Sequence, residues 1–311
     1  MPPSPLKIAL VLAIGVLSVS TAAIFIRLAS EAAGGGSIAF SLFLAASRMI
    51  LASIVLLPNW FRNTSEKTTA KAYYLAIAAG FALACHFATW TASLSYTSIA
   101  ASTTLVVTNP LWIALIGWWW FGEKPRRSTF LGIFLALSGG ILVAFGPTDH
   151  NAAYPNPLLG NGLALGGAWM ASFYILCGRE ARREELSVGR YVTLAYSTAA
   201  LVLLPLPFLT GGNYLEYSPA VYTYVLWIAL VPQSIGHTSF NWALRWVSPT
   251  VVSLVILFEP IGSSLLGVLI FREIPPASAI YGGFILSIGV ISAIVGTRDK
   301  SQPYSDADHT E

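Results

Sequence analysis

The chain repeats itself at a spacing of 150 residues. Residues 86–146 lie over 236–296 without a gap, and fourteen of those 61 pairs are identical. The densest stretch sets TNPLWIALIGWWWFGEKP (108–125) against FEPIGSSLLGVLIFREIP (258–275). Pro110 falls on Pro260, Gly117 on Gly267, Phe121 on Phe271, Glu123 on Glu273 and Pro125 on Pro275. A repeat of this period in an apolar chain marks a membrane protein assembled from two related halves.

The composition requires lipid as the solvent. The 311 residues are 55% hydrophobic and 10% charged, with a mean hydropathy of +0.68, whereas a soluble domain carries about 25% charged residues. The net charge of +3 is spread over short segments and forms no patch that would suit a nucleic acid. Cys85 and Cys177 both fall inside apolar segments, so neither a disulfide framework nor a metal or other cofactor site is expected. Lys7 precedes an apolar run of full spanning length with no small-residue cleavage site, which reads as a retained first helix.

A spanning helix needs about 20 apolar residues. Ten such spans are expected, at roughly 7–29, 37–57, 72–94, 98–121, 127–146, 159–178, 188–209, 219–243, 247–271 and 277–296; they are numbered one to ten below. The expected architecture is all-α, a polytopic membrane protein of two inverted five-helix repeats. The first repeat occupies 1–146 and the second 159–296, with an extracytoplasmic linker at 147–158 and a disordered cytoplasmic tail at 297–311. With the N-terminus inside, fourteen of the seventeen Lys and Arg residues are cytoplasmic, which places both termini there. Five spans per half is an odd number, so the second half enters the bilayer upside down. The sequon Asn63-Thr64-Ser65 then lies inside the cell and stays unmodified.

The layout resembles the drug/metabolite transporter superfamily, and within it the ten-helix EamA-type permeases and exporters. The resemblance rests on NPLWIALIGWWWFGEKP and EPIGSSLLGVLIFREIP, on the preceding turns LSYTSIA (94–100) and LRWVSPT (244–250), and on the glycine-punctuated spans five and ten. It covers nearly the whole chain. It implies a central cavity lined by spans one, three, four, six, eight and nine, and a substrate drawn from amino acids, other metabolites, sugars, drugs or nucleotide sugars. Span one has no acidic residue in its apolar stretch, unlike the small four-helix multidrug members of the superfamily, which depend on one.

Within the spans, polar residues are the functional candidates. Arg48 sits in span two, where an intramembrane charge costs about 2.5–3.5 kcal/mol on insertion scales. Spans two and seven match at a slightly different offset, set by the LLP at 56–58 and 203–205; the counterpart of Arg48 is then Ala195, so fold symmetry does not account for the arginine. It holds a substrate carboxylate or joins an internal ion pair, and Glu259 is its natural counter-charge. Glu259 precedes Pro260 as Asn109 precedes Pro110, and both prolines are expected to kink their helices near the midplane. Glu259 suits a substrate amine, a transported proton or a fixed salt bridge. Gln233, His237 and Asn241 recur every fourth residue in span eight and make one polar face, directed at the cavity. His86 and Trp90 in span three, Trp112 in span four and Trp169 in span six complete a semi-polar pocket; polar glue between helices, or plain packing, is the competing account. Ser18, Thr21 and Phe25 make a further face on span one. Trp118–Trp120 read as an interfacial belt, and Gly162 with Gly166 as a close helix contact. Glu123 and Glu273 end their helices at opposite faces, in a structural or gating role toward basic neighbours such as Lys124 or Arg272.

No HExxH, GxSxG or paired membrane aspartates occur, so an intramembrane enzyme is not expected. A sensor or scaffold would not need an inverted repeat with matched kinks. The expected function is secondary active transport of small organic metabolites by alternating access, most simply export across a bacterial inner membrane. Amino acids or related zwitterions come first, matching one positive and one negative group. Proton-coupled efflux of amphipathic drugs or amines through Glu259 comes second. The expected partners are the substrate, the lipid bilayer and a coupled proton. A monomer suffices, because both halves are in one chain, and a dimer through lipid-facing helices is compatible.

Overall fold

The computed structural model describes residues 3–61, 68–122, 127–145, 154–243, 246–247, 252 and 255–297. Among these residues every regular element is helical. Six helices are long and apolar enough to cross a bilayer: Pro5–Ala32, Ile38–Leu56, Ala70–Ser93, Ile99–Trp119, Pro157–Ala181 and Gly189–Leu209. Spans five, nine and ten contain the shorter apolar helices Arg127–Val143, Glu259–Phe271 and Ala277–Ser292. The helix of span six runs to Arg183, five residues past the expected end.

Several spans expected to be continuous are broken. Span one is two helices, Pro5–Ser20 and Ala22–Ala32. At the junction the Thr21 hydroxyl donates to the Ser18 carbonyl at 2.6 Å, the local back-bonding by which Thr bends a helix. Span seven ends its main helix at Leu203 and resumes as Leu206–Leu209 after Pro205, which has no N–H to continue the ladder. Span eight starts as Pro219–Ile228, widens into a π-helix over Ala229–His237 with Pro232 inside it, and closes as Thr238–Ala243. There the Ser234 hydroxyl reaches back five residues to the Ala229 carbonyl at 2.7 Å. Such wide turns occur where the regular ladder is interrupted, often at functional sites.

Spans four and nine carry the repeat in their backbone. Span four stops at Val106 and restarts at Asn109; span nine restarts at Glu259. Pro110 and Pro260 each take the second position of the restarted helix, where a missing N–H costs nothing. Both restarted helices end on a left-handed residue, Gly122 at φ 67° and Arg272 at φ 55°. Each caps by donating its N–H to a glycine carbonyl, Gly117 in one half and Gly267 in the other. These positions are all 150 residues apart. Glycine is the natural occupant of such a cap; Arg272 adopts it at a steric cost of roughly 1 kcal/mol.

The main pairings of spans recur when the halves are exchanged. Span three packs on six and span eight on one; four packs on six and nine on one; two packs on seven and five on ten. Spans five and ten meet backbone to backbone. A Cβ on Gly139 would fall on the backbone of Gly282 and Leu286, and one on Gly289 would come within 2.7 Å of the Ala136 Cα. Gly162 and Gly166, expected to make a close contact, have nothing within 4 Å of an added Cβ. The intimate contacts of that helix are made instead by Gly160, against Thr97, and Gly167, against Thr89, Trp90 and the His86 carbonyl. The outer surface is apolar, as lipid demands, with Leu17, Phe81, Phe134, Leu201 and Phe284 all exposed.

Candidate functional site

A cavity of about 250 Å³ lies between the halves. Spans one, two, three, four, six, seven, eight and nine all contribute to its wall, so it includes spans two and seven beyond the expected six. Seven expected residues line it: Arg48, His86, Trp90, Asn109, Pro110, His237 and Glu259. The rest of the wall is largely apolar and aromatic, including Val19, Leu83, Phe87, Val107, Ile175 and Phe240.

Arg48 is held rigidly. It is 2% exposed. Its Nε donates to Gln233 Oε1 at 2.6 Å, and its Nη2 lies 3.3 Å from His237 Nε2, which accepts. The Phe87 ring lies 4.1 Å from the guanidinium carbon and the Trp90 ring 5.9 Å, within range of cation–π attraction. The widened turn of span eight presents Gln233 and His237 together to one arginine. Gln233 is therefore a wall support behind the cavity, buried at 2% exposure. The Asn241 side chain lies outside the described residues.

The expected Arg48–Glu259 ion pair does not form. Among the described residues no carboxylate comes within ion-pair distance of Arg48. Both charges face the same cavity, and the partners of Arg48 are neutral. Glu259 accepts a bond from the Ser20 hydroxyl on its backbone carbonyl at 3.4 Å, and among the described residues its carboxylate has no hydrogen-bond donor. The Nδ1 of His86 donates to the Gly167 carbonyl at 2.9 Å, and the His86 ring stacks on Trp90 at 6.2 Å with planes 6° apart.

Among the described residues, Arg48 Nη1 and Trp90 Nε1 are sealed from water and lack a hydrogen-bond partner. A buried donor left in that condition costs about 1–3 kcal/mol, more when charged, so native structures hold few of them.

Other expected residues lie elsewhere. Trp112 and Trp169 are not in the cavity wall; they pack edge to face on each other at 5.1 Å, and Trp169 is 48% exposed toward lipid. The Trp112 indole donates to Thr108 Oγ1 at 2.9 Å. Pro260 stands behind Glu259 without lining the cavity. Trp118 and Trp119 are exposed at the end of their helix. Cys85 and Cys177 are free and half-buried. Glu123, Lys124, Asn63, the linker residues 147–153 and the tail from 298 lie outside the described residues. Tyr174 and Tyr196, which sequence reasoning missed, also line the cavity. One signal was present: Tyr196 is next to Ala195, the repeat mate of Arg48.

Glu273 pairs with Arg27, not with the adjacent Arg272. The Arg27 Nη1 to Glu273 Oε2 distance is 3.2 Å, with the side chains 16% and 11% exposed. The second guanidinium nitrogen donates to the Thr97 carbonyl at 3.1 Å, and Glu273 Oε1 accepts from the Ile99 amide at 2.7 Å. Tyr154 lies beneath the guanidinium at 5.5 Å; burial, then the nearby Glu273 charge, push its phenol above the usual range. This cluster gathers the ends of spans one, three and nine and the start of four and six at one face. It latches the two halves together there.

The comparisons agree with this architecture. A solved crystal structure covers 96% of this chain and all of its own length, with a TM-score of 0.60 at 19% identity; at that identity it speaks to fold alone. A protein named as an uncharacterized transporter in Archaeoglobus fulgidus is 21% identical over 288 residues, 91% of this chain and 96% of its own. The transporter YwfM of Bacillus subtilis, also named uncharacterized, is 22% identical over 272 residues, 87% of each chain. The model of the EamA-like transporter family matches twice, over residues 6–145 and again over 158–295. With both matches spanning most of its length, the chain belongs to the EamA-like transporter family, a multi-pass membrane carrier of the drug/metabolite transporter superfamily with a small-molecule substrate.

Proposed function

We propose that the protein is a secondary active exporter of amino acids or related zwitterions, working by alternating access. Arg48 takes the substrate carboxylate, Glu259 the amine, and the aromatic and aliphatic wall the side chain. The observation that carries this reading is that Arg48 and Glu259 share one cavity without pairing. Two opposite charges held apart in a low-dielectric space are stabilised together by one ligand that carries both complements. The volume supports a compact solute, because ligand pockets run from about 300 Å³ upward. Phosphorylated substrates would need more than one deep cation.

The two halves, 1–146 and 159–296, are taken as inverted repeats about an axis in the membrane plane, with both termini in the cytoplasm of a bacterial inner membrane. The positive-charge bias of the loops supports that orientation. Exchange of conformations between the halves then supplies an inward and an outward state of similar energy.

Counterflow in reconstituted vesicles tests the reading against a panel of labelled amino acids, amines and sugars. Amino acids are expected to exchange, with Arg48→Ala and Glu259→Gln each abolishing flux in folded protein. Exchange of amines alone would transfer the role to Glu259 and a coupled proton. Labelling of cysteines placed at 62–71 or 124–127 from outside intact cells would overturn the orientation.

A further inference from the structure

Two nitrogen donors on the cavity wall lack an acceptor among the described residues: Arg48 Nη1 and Trp90 Nε1. Their setting limits what can satisfy them. The other two nitrogens of Arg48 are occupied by Gln233 and His237, and its face is covered by Phe87. Nη1 is the guanidinium nitrogen left without a partner, and the second oxygen of an anion can take its bond from a neighbouring donor. Trp90 is the neighbour in place: its ring centre is 5.9 Å from the guanidinium carbon, and it is 4% exposed on the cavity wall. The indole and the guanidinium are thus close neighbours on one wall, each with an N–H that lacks an acceptor.

We infer that Arg48 and Trp90 form a carboxylate seat, in which Arg48 Nη1 and Trp90 Nε1 each take one oxygen, and that the substrate is a compact monocarboxylate. The inference rests on the proposed role of Arg48 and adds Trp90 as a determinant of specificity. The charge fits one unit, because the hydrogen-bond partners of Arg48 are neutral and, among the described residues, no protein carboxylate comes within ion-pair distance of it. A neutral amide would meet the donors but leave the arginine uncompensated. A phosphate dianion would bring more charge than one guanidinium offsets. The body of the ligand is limited by a cavity of about 250 Å³. The donors lie just beneath the cavity surface, so binding includes a small turn of the Trp90 indole that uncovers them.

The test uses four ligands with one apolar body: leucine, leucinamide, 4-methylvalerate and isopentylamine. Thermal stabilisation of the purified wild-type carrier and counterflow in vesicles are measured for each. Leucine and 4-methylvalerate are expected to stabilise the protein, and leucinamide and isopentylamine to do so weakly. Trp90→Phe is expected to raise the half-saturating concentration of the two acids roughly 10–100-fold, with the amide and amine changing less than about twofold. Binding of 4-methylvalerate but not leucine would remove the zwitterion reading and leave the seat standing. Stabilisation by the amine alone, by none of the four, or an unchanged preference for acids in Trp90→Phe would overturn the seat. The wild-type stabilisation pattern decides the matter if Trp90→Phe fails to fold.

Discussion

In the proposed alternating-access cycle, opening the face that carries Glu273 requires its latch to break, and the bonds of that cluster set the size of the step. The Glu273 carboxylate makes two charge-assisted contacts, to Arg27 at 3.2 Å and to the Ile99 amide at 2.7 Å. Such bonds contribute about 1.5–3 kcal/mol each, less where water reaches them in the open state. Glu273→Gln removes the ion pair and keeps a neutral acceptor for Ile99, for a loss of about 1–1.5 kcal/mol. Glu273→Ala removes both contacts, for a loss of about 3 kcal/mol. At 1.36 kcal/mol per factor of ten, the open population rises about tenfold in the first variant and up to about 100-fold in the second. The readout is a single cysteine on the cavity wall, Val107→Cys, after Cys85 and Cys177, the chain's two cysteines, are changed to Ala. Its labelling rate by a membrane-impermeant maleimide, added from the Glu273 side, reports opening. Labelling faster in Ala than in Gln, and in Gln than in the parent, is the expected order. Equal rates in all three would refute the latch.

The remaining predictions concern the cavity, the scaffold and the surface. Arg48→Lys keeps the charge but loses the Nε bond to Gln233 and the stacking on Phe87; transport is expected to fall at least about tenfold, measured by counterflow. Gly289→Val drives a side chain into the Ala136 backbone and is expected to cost about 1–3 kcal/mol, seen as a lower midpoint in a detergent thermal melt, whereas Gly162→Ala is expected to melt as the parent does. Arg272→Gly relieves a left-handed cap at φ 55° and is expected to raise that midpoint by an amount equivalent to roughly 1 kcal/mol. At the surface, the bonds from Lys71 and Thr69 hold the Glu184 carboxyl below its usual range. A lowered carboxylate pKa contributes stability above the unfolded value and loses it as pH falls through the folded one. Because the pair is exposed, salt is expected to abolish the difference between wild type and Glu184→Ala.

The halves of the fold were legible because the repeat sets two stretches of one chain side by side. Gly122 and Arg272 show why: unlike residues, 150 apart, cap their helices with the same backbone turn. Arg48 and Glu259 were legible because charge is rare in an apolar span. What the sequence concealed was direction. In a membrane helix the lipid-facing side is as apolar as the packed side, so Trp169 carried no mark of its exposure. The same blindness set Gly162 and Gly166 against a neighbour, when Gly160 and Gly167 make the contact. The break at Thr21 depends on a hydroxyl turned back to Ser18 and lacks the glycine or proline that would announce it. The Arg27–Glu273 pair joins residues 246 positions apart, and local spacing says nothing about such a match. Pro232 was visible, but not that the backbone would widen around it and bring Gln233 and His237 to one guanidinium.

The amide of Ile99 that holds Glu273 carries one more consequence. Its repeat mate, 150 residues on, is Pro249, and proline has no hydrogen there to give. A latch built in the same way around Glu123, the repeat mate of Glu273, would lack that donor. A duplicated fold would by itself weight both orientations of the carrier alike. In the proposed alternating-access cycle, one imino acid would unbalance them and give the molecule a resting side.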